Sequence, residues 1–182
     1  MSNALIPLAD GFEDVEAVSI IDVLRRGGVE VVTASLTDGV GVRSAHGIQM
    51  EADALLSDVL ENDYDAIILP GGGEGTENLL ACAPLLQRLQ RQKEEGHFVC
   101  AICAAPLVLD AAAVIDEEDV TCYPSCAPKM GRRVQPARVV ADELVITGQG
   151  PGSAALFALV VLSHLEGERT AHNIANGMLI EF

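Results

Sequence analysis

Tryptophan is absent, and two tyrosines and four phenylalanines leave the chain only 3% aromatic although 49% of it is hydrophobic. The core must therefore be built from Ala, Val, Leu and Ile, which favours close packing of helices on a sheet. Basic residues are also scarce: 11 Lys and Arg stand against 27 Asp and Glu, a formal net charge of −16. Affinity for nucleic acid and for anionic membrane surfaces rests on cations that neutralise phosphate, so neither is an expected partner. No apolar run approaches the ~20 residues of a membrane helix, and stretches such as Ala154 to Leu162 stop well short. No basic segment precedes an apolar one in the manner of a signal peptide, so the expected location is the cytoplasm. The five cysteines are an odd number, which argues against a disulfide framework and leaves packing, metal binding or chemistry.

What is present is a regular alternation. The 182 residues suit one domain, 1–182, able to hide about 70% of its unfolded surface. Strand-like runs at Ala4 to Leu8, Val29 to Ser35, Asp65 to Leu69, Phe98 to Ile102, Val120 to Cys122, Arg138 to Val140 and Leu144 to Thr147 are separated by helical patterns. Those patterns span Glu13 to Arg26, Ala83 to Glu95, Pro106 to Ala113 and Ser153 to Leu165, with a hairpin excursion from Val40 to Glu51. In the first helix Val15, Val18 and Val23 are expected on one apolar face. Strands joined by helical crossovers pair in parallel with helices on both faces. The fold class is α/β: a flavodoxin-like three-layer sandwich around a mostly parallel sheet.

In such sheets ligands bind beyond the carboxyl ends of the strands. Three strand exits carry candidate chemistry: Asp10-Gly11-Phe12-Glu13-Asp14-Val15-Glu16, Gly71-Gly72-Gly73, and Cys103-Ala104-Ala105-Pro106. Cys103 sits at a strand-to-helix corner that resembles a nucleophile elbow. A thiol there lies at the positive end of a helix dipole, which is expected to lower its pKa; the plainer reading is a small buried hydrophobe. A carboxyl such as Glu16 facing the thiol in an apolar site would be raised by desolvation and by repulsion, and its proton could hydrogen-bond the sulfur. The glycine N–H groups could receive an oxyanion or simply make a turn.

Cys100-x2-Cys103 followed by Cys122-x3-Cys126 has the paired spacing of a zinc site. Against that reading, the first pair lies within an apolar strand whose alternation turns the two side chains apart, and no metal is expected. The same placement weakens a thioredoxin-like Cys-x-x-Cys. Among the histidines, His97 precedes its strand and lies at the wrong sheet edge, and His164 and His172 fall in or after the last long helix. His46 reaches a site only if the hairpin folds back or a second subunit supplies it.

Leu8 to Glu16, Leu69-Pro70-Gly71-Gly72, Ala101 to Pro106 and Gly148-Gln149-Gly150-Pro151-Gly152 together resemble the ThiJ/PfpI superfamily, in particular its parkinsonism-associated deglycase branch. The resemblance covers essentially the whole chain. It implies a flavodoxin-like sandwich, usually a homodimer, with Cys103 as reactive cysteine, Glu16 as the protonated carboxyl beside it, and Gly72 and Ala104 as backbone donors. Gly150 and Pro151 match a loop lining the same pocket. Tyr123 stands where well-known relatives carry a histidine before Pro124, and His46 stands where some carry an arginine near the partner's site. Ala104 stands where the protease-like branch carries a histidine, which removes most of the support for peptidase activity. The activity implied is cofactor-independent and of glyoxalase or deglycase type, on small aldehydes or dicarbonyls and their adducts. The alternative is a redox-sensing or chaperone-like stress protein whose Cys103 is oxidised to sulfinate.

Overall fold

A computed structural model describes residues 1–182. The first half of the chain runs β1 (Asn3–Leu8), α1 (Asp14–Arg26), β2 (Glu30–Ser35), β3 (Gly41–Arg43), β4 (Gln49–Glu51), β5 (Ala54–Leu55), α2 (Leu56–Val59) and β6 (Ala66–Leu69). It continues through α3 (Gly73–Leu80), α4 (Ala83–Glu94), β7 (Phe98–Ile102), α5 (Pro106–Ala111), β8 (Val139–Asp142), β9 (Val145–Gly148), α6 (Ala154–Glu166) and α7 (Glu168–Gly177). Single 3-10 turns occupy Ala127–Lys129 and Pro151–Ser153.

Seven strands form one sheet in the order β5-β2-β1-β6-β7-β9-β8, parallel except for the antiparallel edge strand β8. β3 and β4 make a separate hairpin with Val42 opposite Met50. The chain steps from β1 outward to β2, then returns to place β6 on the other side of β1. That reversal leaves a crevice beyond the carboxyl ends of β1 and β6, where an open α/β sheet takes its ligand.

The central strands have no polar face. Ile6, Ile68, Cys100 and Ile102 enter one apolar layer with Phe157 and Leu162 of α6, while Leu5, Ile67, Val99 and Ala101 enter the other with Leu85 and Leu89 of α4. Strict alternation into two buried layers is what a sheet covered on both sides requires. It also separates the cysteines: Cys100 belongs to the first layer, Cys122 and Cys126 to the second.

Several expectations need correction. In α1 the buried face carries Glu16, Ala17, Ile20, Val23 and Leu24, whereas Val15 and Val18 are 52% and 51% exposed. The 100° step of a helix puts Val23 and Ile20 together and turns the two earlier valines outward. Residues 120–122 form no strand: the Thr121 N–H donates to the Thr147 hydroxyl (2.9 Å) rather than to a strand carbonyl. The glycine turn after β6 opens α3, which the poor helix propensity of Gly73 and Gly75 concealed. α7 had no sequence signal beyond Ala171 and Ala175, its two buried residues.

Candidate active site

The site begins with a backbone distortion. Cys103 follows β7 with φ of 64°, a left-handed conformation unusual for a side chain with a Cβ. Its neighbours hold it on both sides: the Cys103 N–H donates to Gly148 O (2.9 Å), and its carbonyl accepts the Tyr123 N–H (2.7 Å). The turn lifts the thiol out of the sheet toward the β1–β6 crevice. Strain of this kind persists only where surrounding structure enforces it.

Glu16 reaches the same place from the first turn of α1 and is completely buried. Its Oε2 accepts the Gly71 N–H at 2.8 Å, while its Oε1 has no hydrogen-bond partner. The Cys103 thiol is the remaining hydrogen-bonding group beside the carboxyl. A Cβ on Gly71 would stand 2.7 Å from both Cys103 Cβ and Glu16 Oε2, so contact between α1, the β6 exit and the elbow requires glycine there. Gly72 adopts φ of +98°, and a Cβ on it would come within 2.2 Å of Gly11 O.

Burial pushes the Glu16 carboxyl up to about 7, with the Glu13 charge adding to the rise and the Gly71 N–H and Cys103 thiol opposing it. Burial also pushes the Cys103 thiol up to about 12, reinforced by the Glu16 charge and hydrogen bond; the Gly72 and Ala104 N–H groups work in the opposite direction. The expected depression of the thiol by a helix dipole is therefore overturned. α5 begins three residues later at Pro106, has only six residues and offers no N–H at its first position. At neutral pH the Glu16 carboxyl is divided between its protonated and ionised forms beside a protonated thiol.

A cavity of about 800 Å³ opens above the sulfur, lined by Glu13, Gly72, Thr76, Cys103, Ala104, Tyr123, Cys126, Lys129 and Pro151 among others. Gly150 lines an adjoining pocket of about 550 Å³ with Arg138 and Gln149, and Tyr123 and Pro151 belong to both. The Tyr123 ring lies so close to Gly150 that a Cβ there would sit 3.1 Å from it. Cys103, Gly72, Ala104, Tyr123 and Pro151 thus meet around one cavity.

Glu16 has no surface in that cavity and lies behind the sulfur. The carboxylates that line it are Glu13, Glu77 and Asp110. Cys126, Lys129 and Thr76 were missed, because residues beyond strand exits carry no periodic signal.

His46 does not line the cavity of its own chain. The β3–β4 turn holds it at the rim, where Nδ1 lies 2.7 Å from Asp14 Oδ2 and its ring is largely exposed. Asp14 raises the His46 pKa through that hydrogen bond and also accepts the Ser44 hydroxyl. Glu13, Asp14 and His46 bring three metal-capable atoms within 4.8 Å of one another; as they stand, Asp14 is engaged by its two hydrogen-bond partners. No helix is long and apolar enough to cross a membrane.

A family profile described as DJ-1/PfpI matches residues 2–164. Protein DJ-1 homolog B of Arabidopsis thaliana is 38% identical over 181 residues, covering 98% of this chain and 41% of the plant protein. The chain thus spans less than half the length of that relative. The glutathione-independent glyoxalase DJR-1.2 of Caenorhabditis elegans is 36% identical over 173 residues, 93% of this chain and 91% of the worm protein. The solved structure of oxidised Toxoplasma gondii DJ-1 is similar with a TM-score of 0.95 at 36% identity, each chain being covered in full.

Proposed function

The chain belongs to the DJ-1/PfpI family, and from that premise we propose that it is a cysteine-dependent enzyme acting on small reactive dicarbonyls or their adducts, in the manner of a glyoxalase or deglycase. The observation that carries this reading is the buried Glu16 carboxyl against the Cys103 thiol, with the Gly72 and Ala104 N–H groups on the sulfur at the floor of an open cavity. The similarity to a worm protein named a glyoxalase supports the same class.

In this mechanism the Glu16 carboxylate takes the thiol proton as Cys103 Sγ bonds to the aldehyde carbon, giving a hemithioacetal. The developing oxyanion accepts hydrogen bonds from the Gly72 and Ala104 amides. Transfer of the aldehyde-carbon proton to the adjacent carbon converts the adduct to a thioester. Glu16 is the proton carrier in these steps, and Glu13, Glu77 and Asp110 line the cavity in which the substrate proton moves. Water then releases the hydroxy acid and restores the thiol. These steps call on no metal or organic cofactor. Lactate formation from methylglyoxal, lost in Cys103→Ser, tests the assignment.

A second reading has its own support. The sulfur opens on a cavity that admits a small oxidant, and a similar solved structure is named as oxidised. Cys103 driven to sulfinate by excess peroxide would be read by a partner as a stress signal. Intact mass under graded peroxide tests it, since oxygen addition at other cysteines before Cys103 would sink it.

A homodimer belongs to the same proposal. Val15 and Val18 on α1 and Ile48 beside the β3–β4 turn are each more than half exposed, and Asp14 and Ser44 tie the helix to that turn. A second copy would cover this face and set His46 near a neighbouring cavity. The cytoplasm is the location that suits such chemistry.

A further inference from the structure

Tyr123 gathers three cysteines. Its N–H donates to the Cys103 carbonyl at 2.7 Å, and its own carbonyl accepts both the Cys126 N–H at 2.8 Å and the Cys122 thiol at 3.4 Å. A donor three residues ahead closes a turn whose ends lie within about 7 Å, so Cys126 is held beside Tyr123, which is itself bonded to Cys103. Cys103 and Cys126 line the same cavity, while Cys122 is buried behind it. Burial pushes the Cys122 thiol up to about 11, and the charge of Cys126 adds to that rise; the Tyr123 carbonyl holds both residues. The remaining cysteines are elsewhere: Cys100 is sealed in the opposite core layer, and Cys82 lines a separate pocket.

We propose that Cys126 and Cys122 form a dithiol relay that removes oxidising equivalents from Cys103. A hydroperoxide entering the cavity oxidises the Cys103 thiol to a sulfenic acid and leaves as water or alcohol. The Cys126 sulfur attacks the sulfenic sulfur, a disulfide forms, and the hydroxyl departs as water with the Cys126 proton. Cys122 then attacks Cys126 Sγ, its proton passes to the released Cys103 sulfur, and the bridge ends between Cys122 and Cys126. In total two thiols and one hydroperoxide give one disulfide and two molecules of water or alcohol, with Cys103 restored.

The local structure suits such exchange. Residues 123–130 form a turn and a 3-10 turn with no ladder partner, so the sulfurs can approach without breaking the sheet. Further oxidation of Cys103 to sulfinate competes with the relay and prevails only when peroxide exceeds what the two thiols can absorb. This activity is separate from the dicarbonyl chemistry and requires only that Cys103 meet the peroxide.

The test treats reduced protein with one equivalent of hydrogen peroxide, alkylates the remaining thiols and maps every cysteine by peptide mass. The expected product is a Cys122–Cys126 disulfide with Cys103, Cys100 and Cys82 alkylated. In Cys122→Ser the bridge should stop between Cys103 and Cys126. In Cys126→Ser no disulfide should form, and Cys103 should gain two oxygens at peroxide doses that spare it in the parent.

Cys122→Ser should form lactate from methylglyoxal at the parental rate, which also reports that it is folded. The relay is overturned if parental Cys103 gains two oxygens while Cys122 and Cys126 remain alkylatable, or if Cys126→Ser oxidises as the parent does. Disulfide formation in a protein that makes no lactate would refute the dicarbonyl reading and leave the relay standing.

Discussion

The Gly71 N–H meets Glu16 Oε2 at 2.8 Å, in a gap too narrow for any other residue at position 71. Gly71→Ala would drive a methyl against both Glu16 and Cys103. Overpacking of this kind costs about 1–3 kcal/mol. Denaturant unfolding should show that loss, and lactate formation should fall by at least about tenfold as the thiol and carboxyl part. Gly73→Ala should leave stability unchanged, since a Cβ there meets open space.

Cys103→Ser retains the shape of the elbow but replaces the sulfur with a weak nucleophile. Lactate formation from methylglyoxal should fall by at least about 100-fold, with far-ultraviolet circular dichroism unchanged. Retention of full activity would refute the covalent route.

Glu16→Gln removes the base and retains the volume. Its rate should fall about 100- to 10,000-fold, and the parental rise in rate as pH increases through about 7 should vanish. Stability carries a second signature. A carboxyl raised from 4.5 to about 7 in the folded chain holds its proton more tightly there than when unfolded. Its contribution is most favourable below the unfolded value and is lost as pH rises from 4.5 to about 7, a change on the order of 3 kcal/mol. The stability difference between parent and Glu16→Gln, measured by denaturant unfolding across that window, should shift against the parent by this amount.

Val15→Glu with Val18→Glu places two charges on the exposed face of α1. Light scattering should find the parent as a dimer and the double variant as a monomer. Since neither valine packs in the core, thermal unfolding of the isolated chain should change little.

Much of this arrangement was legible in the sequence, for reasons that differ along the chain. β7 was placed at its observed limits because a short apolar run between Gly96-His97 and the Cys103 corner has few other ways to fold. The strand exits at Gly71-Gly72-Gly73 and Cys103-Ala104 are legible because exits in a parallel sheet share one edge, whereas Tyr123 and Pro151 are implied only by the family resemblance. The facing of Val15 and Val18 was misread because the apolar residues of α1 are spread around it, and the position actually buried at its start is Glu16. The raised Cys103 thiol was invisible because desolvation depends on what surrounds the sulfur in space. Cys126 escaped for a similar reason: it enters the cavity through a turn closed by Tyr123, and no spacing rule encodes that.

The two clamps on Cys103 also bear on when the site comes into being during synthesis. One comes from Tyr123 and the other from Gly148, both of which leave the ribosome after the elbow itself. Until Gly148 has emerged and paired, residue 103 has no cause to hold its left-handed turn and behaves as an ordinary thiol on a growing chain. The paired thiol and carboxyl are thus withheld from the nascent protein, and the fall in thiol reactivity that burial brings can serve as a clock for completion of the sheet. Pulse alkylation of stalled chains of increasing length should show the change in Cys103 labelling once β9 has cleared the exit tunnel.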